Sequence, residues 1–489
     1  MSENNKYPKV KGVNRRQFLS LGMGIVSAAG IGVVANPGES KAWADVALTE
    51  DGLASDARAR RNGSVNRAYD YLSFAMDAYQ DGRTQRLVQS FADSQQLGST
   101  AFVYDNSLAI LAYLERGKRD DVARAMLLGD SFLYAQAHDP TYTDGRVRQA
   151  YWVGPFTLPF TSNDSYFVRA NGSVNLVGAP WFFQGSSVSD MSWVAIALAR
   201  LYARTGKSPY LRGSLRLGQW IVNNAFDTAG LGGYSAGVDG NNNRLNLTKL
   251  TEHNIDVYGL FTNLLAPLTG DAEWTRLGQH ALDFIALVWN AEGGFFYTGS
   301  SDGVTIDTDV VLEEVQAQGY LSLLDRRYDD ALDWTKTNLI GTDTPQSLNP
   351  ALTGNLRLSG VSFSNVSRHA TERANPSDPL PDPDAVWFEG TAHMVAALLA
   401  RRLRAREDLA TFDGDVATAS EYSGQIILAQ TELGRGQVVN GLVIPDRSGV
   451  VAASSVLNTG TGFSYYPNVH LAATSWYLIA ASAGNPYRL

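Results

Sequence analysis

The chain has 489 residues, 44% of them hydrophobic, a formal charge of −9 and no cysteine. Disulfides, thiolate nucleophiles and cysteine metal sites are thereby excluded, and the apolar core has to carry the stability. The first 44 residues hold six Lys/Arg against two acids, which leaves 34 basic and 47 acidic residues beyond them, a net −13; that charge disfavours nucleic acid, whose phosphates are gripped by Lys and Arg, and points to a neutral or weakly charged ligand.

The N-terminal stretch "VNRRQFLSLGMGIVSAAGIGVVA" sets Arg15 and Arg16 ahead of an apolar run, and "SKAWA" at 40–44 supplies an Ala-x-Ala cleavage site. It resembles a twin-arginine export signal, with Asn14 where Ser or Thr is usual. The resemblance implies a signal peptide over 1–44, the twin-arginine export machinery as a partner, and a mature chain that is periplasmic or extracellular. No later segment reaches the ~18–20 uncharged apolar residues of a membrane span, so stable membrane insertion of the mature chain is not expected. Residues 45–65 are expected as a linker.

Beyond it, apolar residues recur at i, i+3, i+4 and i+7. The pattern predicts a lone helix over 66–92, five pairs of helices, and a lone closing helix over about 468–483. Gly117, Gly206 and Gly270 read as helix stops. The 138–185 segment, rich in Gly, Pro, Asn and aromatics, is expected to be an ordered loop with short strands, and "LGGYSAGVDGNNNRLNLTK" a hairpin. The repeating units start near Asp105, Asp190, Glu252, Glu314, Glu389 and His470, in steps of 85, 62, 62, 75 and 81 residues. Such steps are longer and less even than the ~34 residues of a TPR repeat. Twelve helices in alternation resemble the six-hairpin (α/α)6 toroid, which implies an all-α domain over 66–489, six inner helices ringed by six outer ones, and short strands in the loops.

In such a toroid all inner helices point the same way, so their starts line one mouth of a central cavity. Nearly every expected start carries a carboxylate: Asp105, Asp190, Glu252 with Asp256, Glu313 with Glu314, and Glu389. Helix capping is the plain explanation, since acids at a helix N-terminus meet its unpaired N–H groups and its dipole. Glu is a poor N-cap, however, and Glu389 follows Trp387 and Phe388. An acid desolvated between aromatic walls keeps its proton, while a second in a wetter place stays charged, the division of labour that cleaves glycosidic bonds.

The chain is thus similar to the (α/α)6 glycoside hydrolases. The resemblance implies a neutral or weakly charged oligo- or polysaccharide substrate lying across the mouth and no cofactor. Glu389 is the expected general acid, Glu252 or Asp190 the base, and Asp105 a holder of substrate or water; Glu313 and Glu314 read as helix-start acids. Aromatic loop residues offer faces on which sugar rings stack, with Trp152, Trp181, Trp387 and Tyr466 the expected contacts. His253, Asp256 and His470 sit where they would bind substrate.

Other classes share this architecture. A sugar epimerase resembling N-acylglucosamine 2-epimerase would use His253, His393 or His470 for proton transfer. A polysaccharide lyase would need a Tyr or His base beside cationic groups such as Arg146, Arg148 or Lys249, which the net charge disfavours. A non-catalytic glycan-binding envelope protein would keep the aromatics alone. "TEHNID" offers no second His at i+4, so no metal site is expected.

Overall fold

The computed structural model describes residues 55–80, 85–94, 96–154, 166–178, 183–240, 245–404 and 413–489. The expected signal segment 1–44 and Trp181 lie outside them. Among the described residues, no helix is long and apolar enough to cross a membrane.

The described residues hold twelve main helices, in chain order α1 (Ser55–Asp77), α2 (Val103–Arg116), α3 (Arg119–Ala137), α4 (Val188–Thr205), α5 (Ser208–Ala225), α6 (beginning as Thr251–Tyr258), α7 (Ala272–Leu287), α8 (Glu313–Leu323), α9 (Asp330–Asn338), α10 (Phe388–Arg404), α11 (Asp413–Glu432) and α12 (Leu471–Ala481). The helices α2, α4, α6, α8, α10 and α12 each pack on the next, and α12 closes back onto α2. Around this ring, α3, α5, α7, α9 and α11 each cover the inner helix that precedes them, while α1 covers α12. The fold is the expected (α/α)6 toroid, and its first and last helices form the sixth hairpin.

The linker expected over 45–65 is helical from Ser55 onward. That stretch lacks an apolar stripe because polar contacts dock it: Arg61 donates to the Ala481 carbonyl, and Ser64 bonds Gln430 and, at 2.8 Å, the Tyr477 hydroxyl. The expected stops hold, with Gly117, Gly206 and Gly270 in the left-handed region at φ 62°, 68° and 70°. The predicted hairpin forms as paired strands Gly237–Val238 and Leu245–Asn246.

The six inner helices begin in the same way. The first N–H of each donates to a carbonyl of a neighbouring loop or strand: Val103 to Gln149, Val188 to Ala236, Thr251 to Thr298, Glu313 to Phe363, Phe388 to Ala452 and Leu471 to Ser90, all at 2.9–3.1 Å. Three residues further on, a side chain accepts a backbone N–H from the preceding loop: Asn106 from Val88, Met191 from Val147, Asn254 from Tyr234, Gln316 from Phe296, Thr391 from Val361 and Thr474 from Val450. The residues that precede α2, α6 and α8 are Phe102, Leu250 and Leu312, none of which caps through its side chain. Extended backbone at the rim therefore holds the helix starts, and the nearby carboxylates of these three helices are not their N-caps.

The helix α6 widens into π-helical turns over Gly259–Leu265 before it ends at Thr269. Pro267 explains this locally: it has no N–H for the Asn263 carbonyl, and its ring would press on that carbonyl in a regular α-helix. The segment after α12 runs under the far end of the ring. There Asn485 donates to the Leu321 carbonyl, Arg488 to that of Ser322, and Arg200 to those of Asn485 and Arg488. Tyr487, with no exposed surface, rises into the ring and packs on Trp193 at a centroid distance of 5.3 Å. A Cβ on Gly259 would stand 2.3 Å from the Tyr487 ring. Replacing Gly259 by Ala is expected to lower stability by about 1–3 kcal/mol through overpacking; denaturant unfolding of the two proteins measures it, and an unchanged midpoint would refute this packing.

Candidate active site

The inner-helix starts bring seven carboxylates into one electrostatically coupled group: Asp105, Asp190, Glu252, Asp256, Glu313, Glu314 and Glu389. They come from five inner helices, and all but Asp256 lie in the first turn. Glu252, Glu314 and Glu389 are each the second residue of their helix, and Tyr104 and Ser189 hold the same place on α2 and α4. One turn deeper come Trp193, Asp256, Gln318, His393 and Trp476, since residues i and i+4 share a helix face.

Glu389 is 2% exposed. The Tyr104 hydroxyl donates to its Oε1 at 2.7 Å, and the Trp476 indole donates to Tyr104 at 2.9 Å. His470 Nδ1 lies 3.7 Å from Glu389 Oε2, and His393 Nε2 lies 3.8 Å from Oε1. Neither ring nitrogen has a hydrogen-bond partner, and neither has Glu389 Oε2. The far nitrogens of the two imidazoles are held, His470 Nε2 by Asp105 at 3.2 Å and His393 Nδ1 by Glu313 at 3.1 Å. Phe91 stacks on His470 at 4.0 Å, and Trp476 meets His393 edge-on. Burial pushes Glu389 up to about 7; His470 and the Tyr104 hydrogen bond oppose the rise, and the charges of Asp105 and Glu252 add to it. Burial pushes His393 down to about 3, so its ring is neutral. Glu313 is held well above the usual carboxylate range by burial and then by Glu389.

On the facing helices, Glu252 and Glu314 share a hydrogen bond. Burial raises both, Glu314 well above the usual carboxylate range with the charges of Glu252 and Glu389 adding to it; two carboxyl groups can share a hydrogen bond only if one carries a proton, and the contact favours the acid form of Glu314 and the charged form of Glu252. Ser189 Oγ lies 3.2 Å from Glu252 Oε1 and 2.7 Å from Asp256 Oδ2. Glu252, Glu314 and Asp190 are half-buried, whereas Asp256 is fully buried.

Several expected roles change in this setting. Asp190 is tied to the start of its own helix, where the N-cap Ser187 accepts the Asp190 N–H at 3.1 Å and donates to its Oδ2 at 2.6 Å, so the carboxyl braces the cap and does not itself cap; burial pushes it up to about 7. Asp256 has no exposed surface and lies beneath Glu252, out of a ligand's direct reach. His253 is buried with Nδ1 unpartnered, and its position next to Glu252 turns it about 100° away around the helix. Trp152, 5% exposed, packs with Ala150, Val177, Phe102 and Phe183, and presents almost no ring face. Trp387, 1% exposed, is a wall element between Phe363, Tyr465 and His393. Tyr466 is half-buried at a loop junction, bonded to Gln96 and Asp378. Sequence reasoning missed Tyr104, Ser189 and Tyr465 and set aside Glu313 and Glu314. For Tyr104, Ser189 and Glu314 the available signal was their common place as second residue of an inner helix; Tyr465, on the strand Ser464–Tyr465, carried no such signal.

The same architecture recurs in solved structures. A cellobiose 2-epimerase from Spirochaeta thermophila superposes with a TM-score of 0.55 at 11% identity, over 88% of this chain and 98% of that one. A glycoside hydrolase family 76 mannosidase from Bacteroides thetaiotaomicron gives 0.50 at 12%, over 86% and 98%. An unsaturated glucuronyl hydrolase from Streptococcus agalactiae gives 0.51 at 10%, over 94% and 97%. At these identities the likeness is one of fold, the six-hairpin toroid. No protein-family model and no curated protein matches the sequence.

The site makes stability depend on pH. Glu389 titrates near 7 in the folded chain and at about 4.3 when unfolded. The folded state thus holds this proton more tightly, and the associated stability, complete below about pH 4, is lost as pH rises through about 7. The loss is roughly 3 kcal/mol for this fully enclosed group. Urea midpoints of wild type should therefore fall between about pH 5 and about pH 8 more steeply than those of Glu389→Gln. Parallel curves would contradict the burial of an uncompensated acid.

Proposed function

We propose that this chain is a glycoside hydrolase acting on a neutral or weakly charged oligo- or polysaccharide, with Glu389 as general acid and Glu252 as general base. One observation carries the reading: Glu389 and Glu252 hold the same position on two inner helices, the first enclosed with an unpartnered Oε2 and the second half-buried within reach of the Ser189 hydroxyl. Tyr104 occupies Glu389 Oε1, so the acid's proton belongs on Oε2, which has no partner and is free to deliver it to a leaving oxygen. Burial raises Glu252 as well, but the hydrogen bonds from Glu314 and Ser189 oppose that rise and favour its charged form, the form that takes a proton from water. Asp105 orients His470, and His470 in turn faces the acid. The ion-pair partners of these carboxylates among the described residues are histidines alone, which suits a neutral sugar better than a uronate.

A second reading has a specific observation in its favour. His393 and His470 present unpartnered ring nitrogens on either side of Glu389, and imidazole is the usual base for moving a proton next to a sugar carbonyl; a sugar epimerase would use them. Assay of neutral oligosaccharides separates the two readings, because hydrolysis creates new reducing ends, whereas epimerisation in D2O places deuterium on the product carbon. Hydrolysis should fall about 10²–10⁴-fold in Glu389→Gln and in Glu252→Gln, and the wild-type rate should decline above about pH 7 as Glu389 loses its proton. Wild-type rates in both variants would remove the assignment, and deuterium uptake without new reducing ends would favour the epimerase.

We further propose export by the twin-arginine route, on the strength of Arg15, Arg16 and the Ala-x-Ala site. The Arg15→Lys, Arg16→Lys double variant is expected to leave uncleaved protein in the cytoplasmic fraction; unimpaired export of that variant would rule the route out.

A further inference from the structure

The segment after α12 brings a phenol to the underside of the carboxylate group. Tyr487 Oη lies 2.7 Å from Asp256 Oδ1 and 3.0 Å from Gln318 Oε1. A phenol has one proton, and the shorter contact goes to Asp256. Asp256 Oδ2 lies 2.7 Å from Ser189 Oγ, which lies 3.2 Å from Glu252 Oε1. Asp256 is fully buried, and burial followed by the charge of Glu252 holds it well above the usual carboxylate range, so it carries a proton.

With that proton on Oδ2, the hydrogen bonds from Tyr487 to Glu252 run in one direction. Tyr487 donates to Asp256 Oδ1, which confines the Asp256 proton to Oδ2. Asp256 then donates to Ser189 Oγ, and the Ser189 proton is left for Glu252. Without the phenol the Asp256 proton can settle on Oδ1; Oδ2 then accepts from Ser189, and Glu252 loses a donor. We propose that Tyr487 is a positioning residue, whose hydroxyl orders the chain Tyr487–Asp256–Ser189–Glu252 so that Glu252 stands ready as the ionised base. This rests on the hydrolase reading for the role of Glu252, while the order of the chain itself does not.

The charged and titratable groups that face Glu252 are Asp190 from α4, Glu314 from α8, Glu389 from α10, Asp256 on its own helix, and Tyr465 and Tyr487. All are acids or phenols, so a lost hydrogen-bond donor is not made good by a nearby cation. Tyr487→Phe keeps the ring against Trp193 and Gly259 and removes the hydroxyl alone.

The test compares wild type, Tyr487→Phe, Ser189→Ala and the double variant. In kcat/KM against pH, Tyr487→Phe should move the acidic limb upward by about one pH unit, leave the alkaline limb set by Glu389 in place, and leave KM nearly unchanged. Because both side chains act in one chain, the double variant should move no further than Ser189→Ala. An acidic limb unmoved in Tyr487→Phe, or shifts that add in the double variant, would overturn the proposal. Infrared difference titration gives a readout that needs no turnover: the band of a protonated buried carboxyl, identified by its loss in Asp256→Asn, should change position in Tyr487→Phe. If that band responds and no oligosaccharide is hydrolysed, the hydrolase reading fails and the ordered chain stands. If hydrolysis proceeds and neither limb nor band responds, the ordered chain fails and the hydrolase reading stands.

Discussion

Six backbone hydrogen bonds at the rim are the constraint on which the site depends. A helix N-terminus leaves N–H groups unpaired, and acids gather there because they satisfy those groups and the positive end of the dipole. Here the first N–H of every inner helix is met by a carbonyl of a neighbouring loop or strand. The second-position carboxylates of α6, α8 and α10 are left without a capping duty, and the ring turns them toward one another. Asp190 shows the alternative, since its helix does begin with a capping serine and its carboxyl is bound up with that cap.

Gathering acids this way is costly, and the structure limits the cost by keeping several of them neutral. Glu313, Glu314 and Asp256 are held well above the usual carboxylate range, chiefly by burial. Two of these neutral acids are then placed to donate. Glu314 donates to Glu252, and Asp256 donates toward Ser189. Burial thus converts a group of mutually repelling charges into a hydrogen-bonded network with one preferred acceptor, and the helix dipoles, positive ends inward, favour the charge that remains.

The architecture was legible in the sequence because it rests on periodicity and glycine stops, which act locally: the five pairs, the closing helix and three left-handed glycines all sit where the pattern places them. The start of α1 was illegible because polar contacts to α11 and α12, remote in sequence, dock it. Gathering of the acids could be read from their spacing, since it follows from the ring. Their individual states could not, because these depend on which neighbour a carboxyl meets across the cavity. Glu314 looks like an ordinary helix-start acid until Glu252 stands opposite it. The aromatics misled for a related reason: Trp152 and Trp387 belong to loops that fold back on the toroid, and composition does not distinguish a ring facing solvent from a ring facing a wall. The sixfold repeat of helix starts was hidden because the accepting side chain three residues in is Asn, Met, Asn, Gln, Thr and Thr in turn, chemically unlike groups doing one geometric task.

The unpartnered atoms around Glu389 complete the picture. Buried polar groups are nearly always paired, and those left single in a folded protein concentrate where a ligand or a motion completes them. Glu389 Oε2 and the near nitrogens of His393 and His470 are all unpartnered; His470 Nδ1 lies 3.7 Å from Oε2 and His393 Nε2 3.8 Å from Oε1, beyond hydrogen-bond distance. Their far sides are fixed by Glu313 and Asp105, so neither ring can swing inward without giving up a hydrogen bond to an acid. The gap is therefore held open by balanced attachments. A sugar hydroxyl, which donates and accepts at once, is the kind of group that would bridge an acid and an imidazole across such a gap, and it would do so without displacing either ring from its anchor.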